Sequence, residues 1–136
     1  MGSPRIKTTV VGSYPVPDWL VNSPSEQALI DATRVVLNTQ EVDVVCDGEM
    51  YRFDINHPET NGMIEYFVRP LEGIRTDITF DEKLKYRQEN GMDFRRMPPG
   101  IVDGPLGQGT LDLPFACNRA LALSTKPLKF TLTGPH

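Results

Sequence analysis

Residues 43–49 have the sequence DVVCDGE, a short apolar run that ends in a glycine between two carboxylates. β-Branched and apolar residues that do not alternate with polar ones are typical of a strand buried on both faces, as in a parallel sheet. A glycine at the end of such a strand permits a sharp turn or the close approach of a ligand. The stretch therefore predicts a buried parallel strand with polar groups at its carboxyl end.

Two other stretches share this pattern: residues 8–13, TTVVGS, and residues 129–136, KFTLTGPH. We call the three glycine-containing ends the first corner (residues 11–13), the second corner (residues 47–49) and the third corner (residues 133–136). In barrels and open α/β sheets, ligands and catalytic groups lie at the carboxyl ends of the parallel strands. Three such corners in one chain therefore favour a ligand site that they share.

The first 50 residues are expected to form a β-loop-α-β unit, in which a right-handed crossover joins two parallel strands. Ser23 is the expected cap of the connecting helix, with Pro24 at the first helical position and Glu26 completing a capping box. One face of this helix is expected to pack on the sheet. That face consists of Ala28, Leu29, Ala32, Val35, Val36 and Thr39.

Periodicity and turn residues predict the remaining elements. In chain order we expect a strand at about residues 6–12, a proline-rich loop at 14–20, the capped helix to about 40, a strand at 43–47, a helix at 61–71, a strand at 76–80, a short helix at 81–90, a strand from Ile101, a helix at 111–124 and a strand at 127–133. The helix at 111–124 should turn inward Phe115, Ala116, Ala120, Leu121 and Leu123.

Composition bounds the class of protein. With 136 residues, 39% hydrophobic and 24% charged, the chain is long enough for one ordinary domain with a core. A net charge of -4 argues against general binding to nucleic acid or to a membrane surface. No apolar signal core follows the first methionine, so we expect a cytoplasmic protein. The two cysteines, Cys46 and Cys117, lie far apart and are expected to be reduced thiols rather than zinc ligands.

The three corners occur in a characteristic order, with Arg52 and Asp54 after the second and Pro98-Pro99 before the third. This combination resembles the N-terminal part of the catalytic barrel of cobalamin-independent methionine synthase, in the superfamily that includes uroporphyrinogen decarboxylase. The resemblance covers nearly the whole chain but half or less of the family's barrel. It implies an α/β fold, a partial TIM (β/α)8 barrel with the first three or so parallel strands and their covering helices, in a single incomplete domain over residues 1–136.

The resemblance also implies a function, the transfer of a methyl group from a folate or another donor to a thiol such as homocysteine. Val11, Gly12 and Ser13 would hold the carboxylate of the amino acid, and Glu49 would bind its amino group. An amino acid does need donors for its carboxylate and an anion for its ammonium. A salt bridge from Glu49 to Arg52 is the structural alternative.

Three residues are expected to hold the second corner in place without contacting the substrate: Asp47, Arg52 and Asp54. We expect Arg52 and Asp54 to pair and so to fix the corner. Asp47 stands where the full-length synthases often have His, and Glu41 stands where a glycine usually precedes the strand. Further candidates are His136 for the pocket and the Arg95-Arg96 pair for an anionic substrate tail.

The family's zinc would bind the substrate thiol as the nucleophilic thiolate. Its ligands, a His, two Cys and a Glu, come from later strands, and no His-x-Cys pair occurs in this sequence. Cys46, Cys117, His57 and His136 do not match those positions. Zinc is therefore expected for the complete barrel, with ligands that this chain does not supply, and the chain alone should be inactive.

A TIM barrel usually needs about 250 residues and eight strands. Three explanations of the shorter chain stay open: one subunit of a split enzyme, a fragment of a longer protein, or a different fold in which self-association covers the exposed strand edge. Two other functions also stay open. One is a non-catalytic module that binds a small molecule or a partner, and the other is a decarboxylase-like relative that acts without metal.

Overall fold

A computed structural model describes residues 5–90 and 97–134. Arg95, Arg96, Pro135 and His136, which carried predictions, lie outside these ranges. In chain order the elements are α1 (Asp18–Asn22), α2 (Glu26–Thr39), β1 (Val45–Cys46), a 3₁₀ turn (Met50–Arg52), α3 (Glu65–Val68), β2 (Glu72–Arg75), α4 (Phe80–Asn90), β3 (Ile101–Gly107), α5 (Leu113–Leu123) and β4 (Leu128–Lys129). The chain forms two compact units. The second is Asn61–Leu111, and the first contains the described residues on either side of it.

Parallel strand pairing organises the first unit. β1 pairs with β4 in parallel, with Val45 opposite Leu128 and Cys46 opposite Lys129. Thr9 forms a parallel bridge to Val44 on the other side of β1. The three predicted strands therefore lie side by side in sequence order, although each is shorter than expected. The α/β class with parallel strands is confirmed, and the described residues do not form a closed barrel.

The helix α2 begins two residues later than the sequence predicted. The Ser25 hydroxyl accepts a hydrogen bond from the Ala28 amide at 3.1 Å and caps the helix. The prediction of Ser23 as the cap is wrong, because the expected proline-rich loop contains α1 and Ser23 ends that helix. Its amide donates to the Trp19 carbonyl at 3.1 Å.

The core of the first unit lies under one face of α2. Leu29, Ala32 and Val36 are buried there with Leu20 and Met50. The face also includes Thr33 and Leu37, giving the spacing of an amphipathic helix. Two predictions are wrong here, since Val35 is 54% exposed and Thr39 is exposed. Thr33 can replace them because its hydroxyl donates to the Leu29 carbonyl at 2.8 Å, which satisfies the buried oxygen.

Small residues form the buried side of α5. Ala116 and Ala120 are buried, whereas Phe115 and Leu121 are 62% and 55% exposed. The prediction that Phe115 and Leu121 point inward is therefore wrong. Alanines at i and i+4 let α5 pack closely against α2, and Arg119 on α5 pairs with Glu26 at 3.0 Å. The small side chains of α5, rather than its most hydrophobic ones, therefore face α2.

The second unit contains the antiparallel pair β2 and β3, with α4 between them in sequence. The helix predicted at residues 61–71 is limited to α3, and the strand predicted at 76–80 lies at β2 instead. The predicted helix at 81–90 and the strand from Ile101 are confirmed. Thr79 and Glu82 explain why no strand forms at residues 76–80. They form a reciprocal capping box, so the helix α4 already begins at Phe80.

An ion-pair network connects the elements of the second unit. The Arg75 guanidinium lies 2.6 Å from the Glu82 carboxylate and 3.3 Å from that of Asp103. The Arg75 hydrogen bond, followed by those from Thr79, lowers the pKa of Glu82 to about 2. The network therefore links β2, α4 and β3 through one cation. Across the described ranges, no helix is both long and apolar enough to cross a membrane.

Replacing Ser25 with alanine should destabilise the first unit by about 1 kcal/mol, because the Ala28 amide loses its capping acceptor. The matched control is Ser23→Ala, which should change the free energy of unfolding by less than about 0.5 kcal/mol. Urea unfolding of both variants measures the difference. A larger loss for Ser23→Ala would show that the helix starts where the sequence suggested.

Candidate functional site

The second corner is a sharp left-handed turn. Gly48 has φ +66°, and Glu49, at φ 61° and ψ 22°, is the one non-glycine residue with positive φ within the described ranges. Such backbone costs a residue with a Cβ about 1 kcal/mol or more. The Asp47 carboxylate stabilises the turn, because its Oδ1 accepts the Glu49 amide at 3.1 Å. The turn places the Glu49 side chain at the carboxyl end of β1.

Two donors hold the Glu49 carboxylate. Oε2 lies 2.8 Å from the Arg52 guanidinium, and Oε1 accepts a hydrogen bond from the Thr131 hydroxyl at 3.0 Å. Both side chains of the ion pair are largely buried, with 12% of Glu49 and 8% of Arg52 exposed. The salt bridge considered as the structural alternative therefore exists. Thr131 also connects the second corner to the segment that leads to the third.

Tyr51 supports this arrangement and was not singled out in the sequence. It is buried, and its hydroxyl donates to the Thr131 carbonyl at 2.7 Å while accepting from Arg52 Nε at 3.1 Å. Its ring centroid lies 4.4 Å from that of Phe130. Burial raises the pKa of the phenol, although the hydrogen bond from Arg52 opposes this. Tyr51 therefore remains a neutral donor that fixes the end of β4.

The first corner lies beside the second. The Tyr14 amide donates to the Gly48 carbonyl at 2.8 Å, and the Lys129 ammonium of β4 donates to the Val10 carbonyl. Val11 is 83% exposed, and Gly12 and Ser13 are also exposed. The residues on either side of the first corner are thus fixed, and Tyr14 is bonded to the residue before Glu49. The proposed contact of residues 11–13 with a substrate stays a prediction.

The segment before the third corner contacts the second corner and the residue next to the first corner. Lys129 donates to the Val10 carbonyl, the Phe130 ring packs against that of Tyr51, and Thr131 donates to the Glu49 carboxylate. The third corner itself is described only as far as Gly134. Thr131 was not singled out in the sequence. It is a polar residue within an apolar run, but its partner lies 82 residues away and no local pattern identifies that partner.

Asp54 and Arg52 were expected to pair with each other, and in the structure each of them contacts other residues. Arg52 pairs with Glu49, and Asp54 Oδ1 accepts the amides of Asn56 and His57 at 2.9 Å and 3.2 Å. Asp54 therefore shapes the turn that follows the 3₁₀ helix. The expectation that these two residues also pair with each other stays a prediction.

Asp47 is the most deeply buried titratable group of this cluster. Its side chain has no exposed surface, and its Oδ2 has no hydrogen-bond partner among the described residues. Burial is the largest cause that raises the pKa of Asp47, and the Glu49 charge adds to it. The Glu49 amide and the Arg52 charge act in the opposite direction. The balance favours a carboxyl group that keeps its proton more readily than usual.

The described residues do not fit a zinc site. Within residues 5–90 and 97–134, no group of three or more His, Cys, Asp or Glu side chains could hold a metal ion. Cys46 is buried in β1, Cys117 lies on α5, and His57 faces Glu59 at 3.6 Å on the surface. Zinc chemistry therefore cannot be built from these side chains.

Comparison with curated proteins identifies similar sequences. The chain is 29% identical to a methionine synthase of Sulfurisphaera tokodaii, over 98% of this chain and 39% of that protein. It is 33% identical to a methionine synthase of Sulfolobus acidocaldarius, over 96% of this chain and 38% of that protein. A 5-methyltetrahydropteroyltriglutamate–homocysteine methyltransferase of Streptomyces griseus is 27% identical over 99% of this chain and 17% of its own length.

These similarities confirm the resemblance to a part of cobalamin-independent methionine synthase. The chain spans about two fifths of the length of the archaeal relatives. No protein-family profile matches the chain. No solved structure matches it either.

Substituting Gly48 with alanine should lower the free energy of unfolding by about 2–4 kcal/mol, from backbone strain and overpacking together. A Cβ at Gly48 would lie 2.8 Å from Val36 Cγ1 and 2.9 Å from Tyr14 Cβ. Gly12→Ala is the control, since Gly12 also has positive φ but a Cβ there meets nothing within 4 Å. It should cost about 1–2 kcal/mol. Equal losses in chemical denaturation would contradict the close packing around Gly48.

Proposed function

We propose that this chain forms the amino-acid-binding side of a methyltransferase that moves a methyl group to a thiol such as homocysteine. The observation that carries the proposal is the largely buried Glu49 carboxylate, held at the ends of parallel strands by Arg52 and Thr131. The similarity of nearly the whole chain to methionine synthases supports it. Methyl transfer to homocysteine is the activity that the name of the Streptomyces relative states.

Glu49 has the capacity to bind a substrate ammonium in its present position. Each carboxylate oxygen offers two acceptor sites, and the bonds from Arg52 and Thr131 use one on each oxygen. The remaining sites can accept an ammonium without breaking either bond. The first corner would bind the substrate carboxylate through the amide of Gly12 and the hydroxyl of Ser13, with Val11 completing the loop.

The strand order supports a partial TIM barrel as a single incomplete domain. The segment at Thr9, β1 and β4 follow one another in space as they do in sequence, and all pairings are parallel. In a (β/α)8 barrel, consecutive parallel strands have this arrangement. The remaining strands would come from a second chain, or from self-association. Zinc, which would ionise the substrate thiol, would then take its ligands from residues that this chain does not supply.

The hypothesis that another chain completes the site can be tested by the native mass of the purified protein. The protein is purified from its own host, together with any chain that co-purifies. We expect an assembly larger than the 15.2 kDa chain, with a partner that carries a His-x-Cys motif. An isolated chain that binds stoichiometric zinc and methylates homocysteine would contradict the proposal. An assembly that binds methionine but transfers no methyl group would instead indicate a non-catalytic binding module.

The role of Glu49 can be tested by calorimetry with L-methionine, which has the amino-acid group but needs no zinc-bound thiolate. Glu49→Gln keeps an acceptor for Thr131 but removes the charge, so affinity should fall about tenfold or more. Glu89→Gln, at an exposed site of α4, removes the same charge and should leave affinity unchanged. Equal affinity of wild type and Glu49→Gln would exclude a pocket role for Glu49.

A further inference from the structure

The charge balance of the second corner poses a problem for an ammonium ligand. Glu49 and Arg52 form a largely buried ion pair at 2.8 Å and neutralise each other. A ligand ammonium that binds beside Glu49 therefore adds a positive charge to a site that is already balanced. An unbalanced charge away from water is costly, because the protein interior screens it poorly. Because the ligand carboxylate would lie at the exposed first corner, an anion near the buried pair would be needed to balance the ammonium.

Asp47 is placed to supply that anion. It follows β1 directly, is fully buried, and holds the Glu49 amide through Oδ1, whereas Oδ2 has no hydrogen-bond partner among the residues described. The charged or titratable groups that act on it are the Glu49 carboxylate and the Arg52 guanidinium, and Asp47 in turn acts on the Tyr51 phenol. An ionised Asp47 would make the empty corner negative, and a protonated Asp47 leaves it neutral.

We propose that Asp47 balances the charge of this site: on the acid side of its titration it holds a proton while the site is empty, and it releases that proton when a ligand ammonium binds beside Glu49. The inference rests on the proposed function of Glu49. The proton leaves to solvent and the ammonium takes its place, so the cluster remains neutral before and after binding. The raised pKa of Asp47 in the ligand-free protein agrees with this arrangement.

The proposal predicts which ligands release the proton. An amino acid such as L-methionine carries the ammonium and should release up to one proton per molecule bound. Its analogue without the amino group, 4-(methylthio)butanoate, keeps the carboxylate and the thioether but brings no positive charge, so it should release none. Asp47→Asn imitates the protonated form and keeps the acceptor for the Glu49 amide, so it should fold normally and release no proton.

Calorimetry in phosphate and in Tris measures the proton release, since the two buffers differ in their heat of ionisation. It is carried out on the protein as purified, with any co-purifying partner. For the wild type, methionine affinity should rise as the pH rises above 3.8, the ordinary carboxyl value, until Asp47 is ionised without ligand. For Asp47→Asn, affinity should be independent of pH and, at neutral pH, about tenfold weaker than that of the wild type.

A second measurement needs no ligand. Folding raises the pKa of the Asp47 carboxyl group above its ordinary value of 3.8, so the folded state binds this proton more tightly than the unfolded state does. The stabilisation that results is complete below pH 3.8 and is lost as the pH rises and Asp47 ionises in the folded protein. The melting temperature of Asp47→Asn relative to wild type should therefore increase with pH. Asp31→Asn removes an exposed carboxylate on α2 and should show no such increase.

The outcomes separate the two proposals. Methionine binding by the wild type without proton release overturns the role of Asp47 and leaves the proposed function standing. A melting-temperature difference between Asp47→Asn and wild type that does not change with pH also overturns it, whatever the ligand does. Failure of the wild type to bind methionine overturns the proposed function and, with it, the coupling of Asp47 to the ligand.

Discussion

At the end of β1, the carboxylate of Asp47 accepts the amide of Glu49 and stabilises two successive residues in left-handed backbone. This hydrogen bond fixes the backbone from which the Glu49 side chain leaves β1. From there Glu49 meets Arg52 and Thr131, and Gly48 presents its carbonyl to Tyr14. This turn therefore contacts the residue after the first corner and the segment before the third, and it holds Glu49 in strained backbone. Such strain is frequent at ligand sites.

The sequence predicted the parallel strands because β-branched runs that end in glycine are a local signal. It also predicted α4, and it placed α5 within two residues, but it misjudged which sides of α2 and α5 face inward. Those faces depend on partners. Thr33 is buried because it can bond to its own helix, and Ala116 is buried because a small residue permits close packing. Neither property is visible in hydrophobicity alone.

The candidate site was predictable only where its residues are neighbours in the sequence. Glu49 and Asp47 stand next to a glycine after a buried run, so their neighbourhood is evident in the chain itself. Thr131 and Tyr51 complete the site through contacts that span about 80 residues, and only the fold brings them together. The ion pair with Arg52 was foreseen as an alternative to ligand binding. In the structure the ion pair is present and uses one acceptor site of the Glu49 carboxylate.

The parallel strands of the first unit have a consequence for aggregation. Within the described residues, the segment at Thr9 and β4 each have a strand neighbour on one side. Exposed apolar side chains, Ile6, Val11 and Leu132, lie near these two outer strands. The unpaired backbone groups of such an open edge can form hydrogen bonds with a strand of another chain. We therefore expect copies of this chain whose outer strands stay uncovered to pair with other chains and to aggregate.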